Sequence, residues 1–284
     1  MAAVTRVALL QLSAAEDSAL NLRRTEEKIR EAASRGAVIV CLQELFQSRY
    51  FPQRVDVGSY AFAETLPSKT TERMAALAAE VEAVLIVPVF EEARPRVYFN
   101  TAVVFDADGR GLGKYRKTHI PDGPQYHEKF YFTPGNLGYP VFPTRHGVLG
   151  IGICWDQWYP EVARVLALEG AEILFYPSAI GSEPDRPGYS SAEAWRTVIR
   201  SHAIANGVFV AAVNRVGVED EMTFYGESFV ADPFGEVLVR GGASEEILLA
   251  DLDLGRIREL RELLHFLRDR RIDTYRPLLE RIVE

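Results

Sequence analysis

The 284 residues are 48% hydrophobic and 25% charged, with a net charge of -8 and a pI near 5.3. This is the composition of an ordinary globular chain, long enough to bury a large core. The acidic balance argues against nucleic acid or an anionic membrane as the main partner, and the basic run at 268–271 is broken by Asp269. Two cysteines, Cys41 and Cys154, make neither a disulfide framework nor a zinc-type spacing. No apolar run reaches membrane-spanning length, and residues 1–12 lack the apolar core of a secretion signal. The expectation is a soluble, cytoplasmic protein.

In chain order, 6–12 (RVALLQL) reads as a strand. Asn21 is a candidate cap for a helix to about Arg35, with Gly36 as its stop. Residues 37–42 (AVIVCL) form a continuously apolar strand, which implies burial on both faces and a packing role for Cys41. Gln43 and Glu44 follow at once, where α/β folds place their chemistry. A helix over 68–81 leads to a strand at 84–90, and another strand spans 97–105. Asp106–Gly109 is a turn signal, and 111–115 pairs back as a hairpin before Arg116-Lys117-Thr118-His119.

Residues 123–138 form a long irregular loop rich in aromatics that carries Glu128. A hairpin of 141–144 and 148–153 leads into Cys154, and Pro160 opens a helix to Gly170. A thiol at such a strand-to-helix elbow lies near backbone N–H groups, which favours the thiolate. A strand at 172–176 is followed by a Pro/Gly/Ser loop carrying Glu183 and Asp185. Ser190–Glu193 matches a capping box for a helix to Asn206. Strands at 208–213, 228–231, 237–239 and 246–251 follow, then an amphipathic helix over 254–268. Residues 269–284 have little core of their own and suit a subunit contact. No linker or repeat interrupts the chain, so one α/β domain spanning 1–284, with mixed sheets under helices, is expected.

Glu44, Lys117 and Cys154 share one kind of position, each just past an apolar strand. Taken singly, the glutamate and the lysine read as surface residues and the cysteine as a small buried hydrophobe. Together they supply a nucleophile, a base and a cation for the oxyanion, with the Trp155 N–H as a second donor. That set can hydrolyse an amide-like C–N bond through a covalent thioester. Burial of Glu44 would help it hold a proton between steps.

The stretches QELF, YRKTHIP and GICWDQWYPE resemble the nitrilase superfamily of carbon–nitrogen hydrolases over essentially the whole chain. The resemblance implies a four-layer αββα sandwich with two mixed sheets, a Glu44–Lys117–Cys154 triad, no metal or organic cofactor, and a homo-oligomer. It also implies that Glu128 assists Lys117. Within the superfamily, DGPQYHEKFYFTPG, CWDQWYPE and ILFYPSAIGSEP look most like the N-carbamoylputrescine amidohydrolases, whose reaction yields putrescine, CO2 and ammonia in polyamine synthesis from agmatine.

Relatives acting on N-carbamoyl amino acids bear arginines shortly after the cysteine, where this chain has Gln157 and Trp158. Glu183 and Asp185 in the next loop both suit an ammonium tail instead, the resemblance favouring Glu183, and Tyr50, Tyr126 and Trp155 suit the walls of a four-carbon chain. The rival substrate reading is a β-ureidopropionase-like or ω-amidase-like enzyme. The rival mechanism is a Cys–His pair using His119 or His127. The rival class is a protein that keeps only the fold.

Overall fold

The computed structural model describes residues 4–282. The chain opens with β1 (Val4–Gln11), α1 (Ser18–Ser34) and β2 (Ile39–Leu42). Then come α2 (Lys69–Val81), β3 (Val84–Arg94), β4 (Val97–Phe105) and β5 (Gly111–Arg116). A short α3 (Glu128–Tyr131) precedes the hairpin of β6 (Val141–Thr144) and β7 (Gly147–Ile151). A 3-10 turn, Cys154–Trp158, leads into α4 (Pro160–Leu168), β8 (Ile173–Pro177), α5 (Ala192–Asn206) and β9 (Phe209–Val213). The remainder is β10 (Val216–Glu219), β11 (Met222–Tyr225), β12 (Phe229–Ala231), β13 (Val237–Arg240), β14 (Glu246–Asp253) and α6 (Gly255–Leu263).

Two six-stranded sheets result, ordered β14-β1-β2-β3-β4-β5 and β13-β12-β9-β8-β7-β6. Each has a parallel centre, β1-β2-β3 in one and β7-β8-β9 in the other, with antiparallel strands on both flanks. The expected mixed-sheet αββα sandwich is the observed fold. Alternation along the strands builds its layers. Val7, Leu9, Ile39, Cys41, Val84 and Ile86 point between the sheets, where they meet Ile151, Phe175, Ala211 and Val213. Their neighbours Ala8, Leu10, Val40, Leu42, Leu85 and Val87 point outward onto α1 and α2. On the other side, Leu174, Tyr176, Val210 and Ala212 face α4 and α5. Each of the valines, leucines, isoleucines and phenylalanines among them contributes about 1.5–3 kcal/mol when fully buried, so these three apolar layers lock the strand ends in register.

Local chemistry moved several boundaries. Asp17, not Asn21, caps α1 through the Ala19 N–H; Asn21 is buried and bonds both polar groups of Ala15 and the Gln47 carbonyl. The expected capping box at Ser190 is absent: Ser191 occupies the cap position of α5 without a side-chain bond, and Glu193 turns to Arg196. α6 stops at Leu263, so the helix expected to Arg268 is shorter, and 264–282 carry only two 3-10 turns. The hairpin β10–β11 had no reading in the sequence. No helix among the described residues is long and apolar enough to cross a membrane.

Candidate active site

Strand ends converge where the sequence pattern placed them, and they come from both sheets. Glu44 lies two residues past β2, Lys117 one past β5, and Cys154 three past β7. Glu44, Lys117 and Glu128 are each fully buried (0% exposed). The Lys117 ammonium donates to Glu44 Oε1 at 2.8 Å and to Glu128 Oε2 at 2.6 Å. Asn100 Nδ2 donates to the same Glu44 oxygen at 2.6 Å, and the Tyr50 hydroxyl donates to Glu128 Oε1 at 2.6 Å. Glu44 Oε2 is buried with no partner among the described residues.

Burial acts to lower the Lys117 pKa, but the carboxylates of Glu128 and Glu44 outweigh it and hold the ammonium charged. Burial raises the Glu128 carboxyl to about 7, with Lys117 pulling it down and Glu44 pushing it up.

Cys154 takes a left-handed backbone conformation, φ +44°, uncommon for a non-glycine residue. The elbow holds that shape through Asp156, whose buried carboxylate accepts from the Ile153 N–H at 2.9 Å and the Tyr115 hydroxyl at 2.7 Å. The same carboxylate takes the His119 N–H at 3.0 Å and faces its Nδ1 at 2.8 Å. One side chain thus ties the cysteine turn to the segment carrying Lys117. The expected thiolate is corrected here. Cys154 stands at the head of a 3-10 turn and α4 begins six residues later, while burial, then the Glu44 charge, push the thiol well above its ordinary pKa. The resting group is a thiol that needs a base. It feels Glu44, Lys117 and Glu128, and its one hydrogen-bond partner among the described residues is the Ala179 carbonyl at 3.9 Å.

A cavity of about 270 Å³ opens on Cys154, lined among others by Tyr126, Trp155, Trp158, Glu183, Asp185 and Arg186. Three residues expected at the substrate, Tyr126, Trp155 and Glu183, line it. Tyr50 is not among the lining residues: it is buried with its hydroxyl on Glu128. Gln157 is buried too and accepts from Ser178 Oγ. Neither histidine of the rival mechanism bonds Cys154. His119 stacks on Tyr159 at 3.7 Å beside Asp156, and His127 faces Asp122 at 3.9 Å.

Four contributors had no reading in the sequence: Asn100, Asp156, Arg215 and the cation Arg186. Arg215 is fully buried, and its Nη2 donates to the backbone carbonyls of Glu44 (2.8 Å) and Leu45 (3.0 Å) while Nη1 pairs with Glu219 at 2.8 Å. The signal for Arg215 was present, since it too is a charged residue just past an apolar strand.

Residues 6–262 match the carbon-nitrogen hydrolase family model. The chain is 46% identical over 283 residues to a protein named N-carbamoylputrescine amidase from Solanum lycopersicum, covering 96% of this chain and 94% of that one. It is 40% identical over 281 residues to a protein named citrullinase from Francisella tularensis, covering 97% of this chain and 98% of that one. The crystal structure of a carbon-nitrogen hydrolase from Helicobacter pylori superposes with a TM-score of 0.95 at 42% identity, covering 99% of this chain and all of that one.

Proposed function

We propose, for a chain that belongs to the carbon–nitrogen hydrolase family of amide-hydrolysing enzymes, that its substrate is N-carbamoylputrescine, cleaved to putrescine, CO2 and ammonia. The observation that carries the reading is a buried Glu44–Lys117–Glu128 chain beside a thiol whose cavity is lined by carboxylates. The relatives named N-carbamoylputrescine amidase support it at 46% identity.

In this reaction Cys154 Sγ attacks the ureide carbonyl as Glu44 takes the thiol proton through its unpartnered Oε2. Lys117 and the Trp155 N–H stabilise the oxyanion. Glu44 returns the proton to the departing nitrogen, so ammonia leaves as the C–N bond breaks. Water, deprotonated by Glu44, then cleaves the thioester, and the released carbamate loses CO2. Glu128 holds Lys117 in place, and Tyr50 holds Glu128. Tyr126 and Trp155 flank the four-carbon chain, and Glu183 receives the ammonium.

This places the enzyme in polyamine formation from agmatine. We assign it to the cytoplasm, because both cysteines are free and the nucleophile must stay reduced. The chain acts as a single domain in a homo-oligomer, with the segment after α6 lying on a second copy.

The test is ammonia release from N-carbamoylputrescine and from N-carbamoyl-β-alanine, with Cys154→Ala as the blank. Preference for the cationic substrate is expected, with Glu183→Gln raising its KM. Preference for the anionic one overturns the tail assignment and restores the β-ureidopropionase-like or ω-amidase-like reading.

A further inference from the structure

The lining of the cavity carries both signs of charge. Asp122, Glu183, Asp185 and Arg186 all line it. Asp122 faces His127, whereas the side chains of Glu183, Asp185 and Arg186 hold no hydrogen bond or ion pair among the described residues. The loop is a compact turn, closed by the Arg186 N–H on the Glu183 carbonyl at 2.9 Å and the Tyr189 N–H on the Arg186 carbonyl at 3.0 Å. A guanidinium therefore sits within one turn of the carboxylate that would take an ammonium. A ligand with a lone cationic tail leaves that guanidinium unused and is repelled by it.

We infer that the same site also hydrolyses the zwitterionic ureido α-amino acid of matching length, citrulline, with Arg186 binding its α-carboxylate. In N-carbamoylputrescine the ammonium stands on the fourth carbon from the ureido nitrogen. In citrulline it stands on the fourth carbon as well, and the sole addition is a carboxylate on that carbon. The ureide can thus meet Cys154 and the ammonium Glu183 without any change of depth. The added group falls toward the loop of Arg186, whose side chain is exposed and has no partner among the described residues. Guanidinium and carboxylate are matched for a bidentate pair. The bond changes are those already given. The Sγ–C bond forms and the terminal C–N bond breaks with loss of ammonia. Water then cleaves the S–C bond, and the carbamate gives up CO2, leaving a diamino acid. One water enters per turnover.

This rests on the proposed reaction, and the experiment separates the two. Ammonia release is measured from N-carbamoylputrescine and from citrulline with the wild type, Arg186→Gln and Arg186→Lys, using Cys154→Ala as the blank. The wild type is expected to turn over both. Arg186→Gln should lower kcat/KM for citrulline about tenfold, through KM, as expected for loss of a charge-assisted pair. It should raise kcat/KM for N-carbamoylputrescine by relieving repulsion, and Arg186→Lys should restore part of the citrulline activity. Turnover of N-carbamoylputrescine without citrulline overturns the inference alone. So does a ratio of the two kcat/KM values that Arg186→Gln leaves within about threefold, a change too small for such a pair. Failure of both substrates overturns the proposed function and this inference with it.

Discussion

At the residue scale, the site is a chain of buried charge in which each carboxylate oxygen but one accepts a hydrogen bond. Glu44 Oε1 accepts from Lys117 and Asn100, Glu128 accepts from Lys117 and Tyr50, and Glu44 Oε2 has no partner among the described residues. An unpartnered buried oxygen costs on the order of 1–3 kcal/mol, a cost explained if that oxygen is the base. Glu44→Gln keeps the shape and removes the base. Its kcat should fall by about 10²–10⁴-fold while its thermal midpoint stays close to wild type. A rate within tenfold of wild type would mean that another group takes the thiol proton.

Glu128 gives a pH signature. Its folded pKa, about 7, lies above the ordinary 4.5. The stability this protonated carboxyl contributes is complete below 4.5 and is lost as pH rises through about 7. Midpoints measured from pH 5 to pH 8 should therefore decline through this group, and Glu128→Gln should flatten the decline. Ionised Glu128 also holds Lys117 most firmly, so kcat/KM should rise through pH 7 in the wild type and lose that limb in Glu128→Gln. An unchanged profile would remove Glu128 from the proton balance of the site.

At the element scale, precision comes from how the strand ends are tied. Gly135 donates its N–H to the Lys117 carbonyl at 2.8 Å. A Cβ at Gly135 would stand 2.1 Å from the Arg116 carbonyl oxygen, so alanine there must push β5 aside. Gly135→Ala should cost about 1–3 kcal/mol in urea unfolding, as overpacking does, and should also lower kcat, because what moves carries Lys117. Loss of stability without loss of rate would show that Lys117 is held from elsewhere.

The same strand is anchored by Glu91, which accepts from Thr101 at 2.7 Å, Lys114 at 2.5 Å and Arg116 at 2.6 Å. Burial opposes ionisation of Glu91, but Arg116 and Lys114 prevail and hold its pKa near 2. That contribution is present above the ordinary 4.5 and disappears as pH falls toward 2. Glu91→Gln should lose stability at pH 7 and show a shallower acid transition; equal acid curves would exclude the pairing.

At the scale of the whole molecule, two faces of the fold differ in finish. The sheets are covered by α1, α2, α4 and α5, whereas beyond α6 apolar side chains stand in solvent, Leu279 at 88% exposure and Leu278, Ile272 and Ile282 with it. Exposed apolar side chains of this kind are what the proposed contact with a second copy would cover. Leu278→Asp combined with Leu279→Asp should shift the sedimenting species toward monomer at micromolar concentration. Mass unchanged by both substitutions would overturn the proposed role of the arm as a contact between copies.

Local chemistry was enough to reveal most of the strands, β10 and β11 excepted, along with the elbow and the three chemical residues just past strand ends. Apolar runs followed at once by Glu44, Lys117 and Cys154 are features of neighbouring residues, and a sheet necessarily delivers such residues to its ends. Other features depended on partners far along the chain. Tyr50 is 78 residues from Glu128, and Arg215 reaches back 171 residues to the Glu44 carbonyl, so neither role is written in its own neighbourhood. The thiol's protonation was likewise decided in three dimensions, because burial and convergent carboxylates outweighed the local elbow. The charge of the cavity lining was too: Arg186 was one arginine in a polar loop until the fold brought that loop to the cavity that opens on Cys154. Periodicity and turn chemistry act between neighbours, whereas desolvation and Coulomb interactions depend on distance through space, which only the folded chain defines.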